Sequence, residues 1–241
     1  MIDRRSVLKR LCASGGLIAL NSVALAQGDK SRITGIDISK WAGEVDWNGV
    51  ASRLAPHFVF VQAYHAGRNR TSSYANPRFA QYRRALQHRG ILHGAYMRCH
   101  PNADAETLIK EFWAIYRPRS GDIIPTLDIE DDYDSRSGLP AELRIHQIES
   151  MVQMVSATVG RRPIIYTKAR VWSELGNPAQ FADCPLWVVD YHSIDNPVLP
   201  LPWSRFSFWQ FAENLRGNGI QGTYDADYFS GDEATLNQHR L

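Results

Sequence analysis

The sequence holds three cysteines in 241 residues, at positions 12, 99 and 184. That is too few for a disulfide framework, so the fold must rest on a hydrophobic core. It has no run of roughly 20 mostly apolar residues, the length a spanning helix needs. The longest apolar stretch, from Leu11 to about Leu25, is interrupted by Ser, Gly and Asn. There is no basic run and no basic-aromatic stripe, so nucleic acid is not an expected partner. Histidines are scattered, with neither His-x-His nor His-Glu-x-x-His spacing, and no metal or cofactor is expected. No nucleophile-elbow sequence marks a serine or cysteine hydrolase.

Present instead, at the amino terminus, is a targeting pattern. Arg4 and Arg5 form a twin-arginine pair, the apolar stretch follows, and Ala24-Leu25-Ala26 offers a small-x-small cleavage site. This is the layout of a signal peptide for export of folded proteins. The expected organisation is a twin-arginine signal over residues 1–26, a linker over 27–32 and one catalytic domain over 33–241. The twin-arginine export machinery is then a partner, no stable membrane anchor remains after cleavage, and the location is periplasmic or secreted. The whole chain carries a formal charge of +2, but the signal holds four basic residues and one acid. Its removal leaves a mature chain near −1, so the basicity belongs to the export signal.

Across the remaining residues, short β-type runs alternate with longer helical stretches. The runs are Ile33–Ile38, Phe58–Ala63, Ile91–Met97, Ile123–Ile129, Pro163–Thr167, Leu186–Asp190 and Phe206–Phe211. Helices are expected over Asn76–Arg89, Asp104–Tyr116 and Pro140–Val159, the last with Leu143, Ile148, Val152 and Val155 on its buried face. Alternation argues for a parallel sheet, and its persistence for a closed α/β barrel. Helical stretches thin out in the last third. The Pro-rich stretch Asn196–Trp203 reads as a surface connection.

Catalytic groups of a parallel barrel sit at the carboxyl ends of its strands. Strand-end acids here are Asp37, the pair Asp128 and Glu130, and Asp190. In Thr126-Leu-Asp-Ile-Glu130, residues i and i+2 share one face, about 6.6 Å apart. Two acids on the inward face of a buried strand are costly to desolvate, so their presence points to chemistry. Repulsion and burial raise one pKa and leave a protonated acid beside a carboxylate. Glycosidic cleavage uses such a pair. Asp131, Asp132 and Asp134, which follow, are expected to be solvated.

These residues, with Gly35-Ile-Asp-Ile-Ser-Lys-Trp41, Val45-Asp-Trp47, Asn76-Pro-Arg-Phe79, Gly94-Ala-Tyr96, Arg162-Pro-Ile-Ile-Tyr166, Trp209-Gln-Phe211 and Asp225-Ala-Asp-Tyr-Phe229 in order, resemble the lysozymes of glycoside hydrolase family 25. The resemblance implies a TIM-like (βα)5(β)3 barrel. It implies a monomeric N-acetylmuramidase acting on peptidoglycan glycan strands at the β-1,4 bond between N-acetylmuramic acid and N-acetylglucosamine. Carried over by position, Glu130 is the general acid and Asp128 orients an N-acetyl group whose carbonyl attacks the anomeric carbon. Asp37 and Asp225 complete an acidic floor. Tyr64, Tyr96, Tyr166, Trp187, Asp190 and Trp209 are substrate-binding candidates. Two places depart from the family: Gln62-Ala-Tyr-His65 after the second strand, and Met97-Arg98 after Tyr96. Arg98 is a candidate fork for a substrate carboxylate. The rival readings are a non-catalytic peptidoglycan-binding barrel and a metal-dependent hydrolase using His65, His93 and His100. In either barrel Cys99 and Cys184 fall near opposite faces, so both thiols are expected to be free.

Overall fold

The computed structural model describes residues 33–241; the expected signal and linker, residues 1–32, lie outside the described residues. Strand β1 (Ile33–Ile38) leads through a 3-10 turn and α1 (Trp47–Arg53) to β2 (Phe58–His65). After a two-residue strand β3 (Tyr74–Ala75) come α2 (Phe79–His88), β4 (Leu92–Arg98), α3 (Ala105–Ile115) and β5 (Thr126–Asp128). Then follow α4 (Ala141–Val159), β6 (Ile164–Lys168), α5 (Ala169–Glu174), β7 (Leu186–Val189), β8 (Phe208–Gly217), β9 (Ile220–Phe229) and α6 (Glu233–Asn237). The strands run β1-β9-β8-β7-β6-β5-β4-β2, and β1 pairs with β2 to close the circle, leaving β3 on the far end of β2. Five βα units precede three strands without intervening α-helix, the (βα)5(β)3 barrel expected. Strand β9 breaks the parallel rule, lying antiparallel to both β8 and β1.

Local chemistry explains the element ends. Asp46 and Asp104 cap α1 and α3 by accepting the amides of Asn48 and Thr107, satisfying otherwise orphaned donors. Gly160 ends α4 in the left-handed region at φ 72°. Leu143 departs from expectation, being 58% exposed. The buried stripe of α4 is Arg144, Ile148, Met151, Val152 and Val155. Leu143 stands about 100° off that stripe. Arg144 takes its place by donating to the carbonyl of Tyr133.

Two layers fill the barrel interior. The lower half is aromatic: Phe58, Phe60, Phe208 and Phe229 meet edge-on or tilted, and Phe60 stacks on Trp187 at 4.3 Å. Gly35 makes room for this layer, since a Cβ there would stand 2.3 Å from the Phe58 ring. Below, α6 closes the barrel with Leu236, and His239 meets Phe208 and Phe229 edge-on. The upper half, at the carboxyl ends of the parallel strands, is lined with acids. Cys99 and Cys184 are buried free thiols, as expected.

Candidate functional site

Period-two alternation delivers the acids. In β9, Phe229 points into the aromatic layer, so Asp227 and Asp225 follow it inward toward the mouth. Asp225 lies opposite Asp37 in the antiparallel β1–β9 register. In β8, Phe208 faces inward, so Gln210 does too. Gln210 then joins the wall together: its Nε2 donates to Asp37 Oδ2 at 2.7 Å and to Asp225 Oδ2 at 3.4 Å. Its Oε1 accepts from the hydroxyls of Tyr166 (2.9 Å) and Tyr191 (2.6 Å). Asp225 also accepts the amide of Asn214 at 2.7 Å, and Asp227 accepts Trp187 Nε1 at 2.8 Å. No cation is paired with these three carboxyls among the described residues. Burial therefore dominates: Asp37 and Asp227 are pushed well above the usual carboxylate range, each raised further by the neighbouring charge of Asp225, and Asp225 rises to about 6.

Across the cleft, β5 ends at Asp128, but the backbone stays extended through Glu130 (φ −114°, ψ −154°). Both side chains therefore enter the cavity. Arg98, opposite Asp128 on β4, donates Nη1 to Glu130 Oε2 at 2.6 Å and Nη2 to Asp132 Oδ2 at 3.0 Å. Lys168 Nζ stands 3.6 Å from Glu130 Oε1. Asp128 is 5% exposed, and burial, then the charge of Glu130, lifts its pKa well above the ordinary value against the pull of Arg98 and Lys168. Its Oδ1 is buried and has no partner.

These walls enclose a cavity of about 220 Å³. Of the residues singled out from sequence, Asp37, Asp128, Glu130, Asp225, Tyr96, Arg98, Tyr166 and Trp187 line it together. Three do not. Trp209 is buried on the outer side of β8, against Phe206, Phe211 and Tyr228, and its Nε1 donates to the Asp190 carbonyl. The Asp190 carboxylate is occupied by the amides of His192, Ser193 and Val198 and by the Ser193 hydroxyl, so it organises the following loop. Tyr64 is turned outward by a bulge between Gln62 and Tyr64, which pairs His65 with Arg98 and brings the imidazole to the cavity instead.

Other placements differ from the sequence reading. The acids after Glu130 are all ion-paired, Asp131 to Lys168 and Arg170, Asp132 to Arg98, and Asp134 to Arg136 and Arg170; Asp131 and Asp132 stay partly solvated at 41% and 37% side-chain exposure, while Asp134, at 1%, is buried. The fork of Arg98 is engaged by protein carboxylates. His65, His93 and His100 do not converge: His65 stacks on Tyr74, His93 stands beside Asp122 at the amino end of β4, and His100 lies 3.7 Å from Asp132. Gln210, Asp227, Lys168 and Tyr191 were not among the sequence candidates. Nor was Trp41, 67% exposed at the rim, with Lys40 Nζ 4.7 Å from its ring.

The description "Glycosyl hydrolases family 25" matches residues 36–220. Lysozyme M1 of Streptomyces globisporus is 27% identical over 220 residues, covering 88% of this chain and 72% of that protein. The solved lysozyme of Streptomyces coelicolor superposes with a TM-score of 0.77 at 26% identity, over 88% of this chain and 98% of that one. A muramidase from Acremonium alcalophilum does so with a TM-score of 0.73 at 27% identity, over 86% and 97%.

Proposed function

The chain belongs to glycosyl hydrolases family 25, and from that premise we propose that it is an exported N-acetylmuramidase that cleaves peptidoglycan glycan strands at the muramic acid–glucosamine β-1,4 bond. The observation that carries this reading is the pair Asp128 and Glu130, side by side in a polar cleft at the carboxyl ends of the barrel strands.

Glu130 is the proposed general acid, protonating the oxygen of the departing glucosamine. Asp128 is proposed to accept a hydrogen bond from the N-acetyl N–H of the muramic acid, through its unpartnered Oδ1. The acetamido carbonyl then attacks the anomeric carbon as the glycosidic bond breaks, giving a cyclic oxazolinium. Water opens it, losing its proton to Glu130. This substrate assistance needs no protein nucleophile. The raised pKa of Asp128 belongs to the cleft without sugar. An arriving N–H donor and the positive charge on the oxazolinium both favour its ionised form. Asp37, its pKa pushed up by burial, offers a hydroxyl donor to the sugar from the opposite wall.

The test is Glu130→Gln. Loss of a positioned general acid is expected to lower turnover about 10²- to 10⁴-fold, with peptidoglycan binding retained. Products are read by mass spectrometry: new reducing muramic acid ends support the reading. New reducing glucosamine ends, anhydro sugars, or an undiminished Glu130→Gln variant overturn it.

Export rests on Arg4-Arg5, the apolar stretch and Ala24-Leu25-Ala26. The mature protein is expected to begin at Gln27 outside the cytoplasm. Intact-mass measurement of the secreted or periplasmic form checks this, and replacing both arginines by lysine is expected to abolish export.

A further inference from the structure

Beside the acid cleft lies a second cavity of about 580 Å³, within the range of ligand sites. Its walls are the β2–β3 loop, the segment after β4 and the two 3-10 turns after Glu130. His65 and Arg98 line both cavities, so the two are neighbouring compartments of one groove. Arg98 stands on the boundary, one fork nitrogen on Glu130 and the other on Asp132.

Charge is distributed unevenly in the second compartment. Its acids are already matched: Asp131 by Lys168 and Arg170, Asp132 by Arg98. Arg68 is not. It is exposed at the cavity wall and has no carboxylate partner among the described residues. Its charge nevertheless reaches His100, where it adds to burial and to Arg98 in lowering the imidazole pKa. The loop that carries Arg68 is internally braced. Asn69 Oδ1 accepts the Ser72 amide and the Thr71 hydroxyl, and the Gly67 amide donates to Ser73 Oγ at 3.0 Å. The guanidinium is thus presented by an ordered wall rather than a loose tip. His65 is held neutral, its pKa lowered to about 4 by burial and by the charges of Arg98 and Lys40. The compartment therefore combines one unmatched cation with ion-paired side chains and a neutral imidazole, a setting for a carboxylate and its neighbouring amides.

The substrate supplies such a group. A muramic acid seated over Asp128 and Glu130 carries a lactyl-linked peptide, which leaves the sugar sideways and bears free carboxylates. We propose that the second cavity receives this peptide stem, with Arg68 as the partner of one of its carboxylates. The proposal rests on the muramidase reading above.

The experiment compares initial rates on glycan strands carrying their peptides with the same strands stripped by an amidase, using the mature protein and its Arg68→Glu variant. Wild type is expected to show about tenfold higher kcat/KM on the peptide-bearing strands, because remote contacts lower the barrier at the reacting carbon. Arg68→Glu is expected to cut that ratio about fivefold, mainly through KM on the peptide-bearing strands. Equal kcat/KM of wild type on both substrates overturns the proposal. So does a loss in Arg68→Glu that is the same on both, which marks a structural effect or an anionic group of the glycan itself. Failure of the underlying reading looks different: no new reducing muramic acid ends from either substrate.

Discussion

The two walls of the cleft carry the same residue type and treat it in opposite ways. On the β1–β8–β9 side, Asp37, Asp225 and Asp227 are held by Gln210, Trp187 and a backbone amide, all neutral donors. On the β4–β5–β6 side, Glu130 faces Arg98 and Lys168, and Asp132 shares the Arg98 fork. A neutral donor satisfies one lone pair but leaves the charge unbalanced, so burial raises the pKa of all three carboxyls of the first wall; on the second wall burial raises Asp128 too, but there Arg98 and Lys168 pull against it. A guanidinium balances charge as well as geometry. Strand-end position alone therefore does not assign a role to an acid. What faces it does.

The largest effect expected to test this contrast is Asp128→Asn set against Asp37→Asn. Asparagine preserves shape and removes the charge that Asp128 is proposed to present to the N-acetyl group. A fall of about 10³ in kcat is expected, the scale of losing one preorganised electrostatic contact in a closed site. Asp37 is not proposed to touch the N-acetyl group, and its substitution is expected to cost about tenfold or less. Equal losses at the two positions would erase the distinction between the walls.

Next in size is Arg98. Its guanidinium spans Glu130 and Asp132, so Arg98→Met is expected to lower kcat about 10- to 100-fold by freeing the Glu130 carboxyl from its position, with a smaller change in KM. Arg98→Lys is expected to restore little of this, because an ammonium is a point charge and does not reproduce a two-pronged contact. Full rescue by lysine would mean that charge, not the fork, is what this wall requires.

The same contrast shows what one sequence discloses about such a site. Strand β1 has the bounds its apolar run predicts, and the i, i+2 placement of Asp128 and Glu130 follows from strand geometry. Gln210 carries no titratable group to mark it in the sequence, whereas its neighbour Trp209 offers an aromatic face. Parity from Phe208 settles which of the two faces inward. Tyr64 shows where parity fails, since one bulge exchanges it for His65. Strand β9 has no continuous apolar run because polar residues interrupt it, although Asn218-Gly219 before it is a hairpin signal, with φ 56° and 96° at the two positions. The Arg98–Glu130–Asp132 bridge joins residues more than 30 positions apart, and local pattern carries no information about it.

The smallest effect concerns stability, at the deepest acid of the cation-free wall. Asp227 is fully buried, Oδ1 accepts from Trp187, and Oδ2 has no partner. Burial holds its folded pKa well above the ordinary carboxylate value, so the folded state binds its proton more tightly than the unfolded chain does. Stability then falls as pH rises above about 4, because unfolding releases a proton. Asp225 adds a decline of the same sign that ends near its folded value of about 6. Asp227→Asn keeps the acceptor for Trp187 and removes the titration. Near pH 3.5 the variant and wild type are expected to unfold at similar denaturant concentrations. At pH 7 the variant is expected to unfold at the higher denaturant concentration. Asp134 offers the opposite sign within the same barrel: hydrogen bonds from Arg136 hold it down to about 2, so its contribution is present above the unfolded value and lost as pH falls through 2. Denaturant titrations of wild type and Asp227→Asn at the two pH values decide the matter. A stability difference that does not grow with pH would mean that Asp227 is ionised in the fold, and the first wall would lose its distinction from the second.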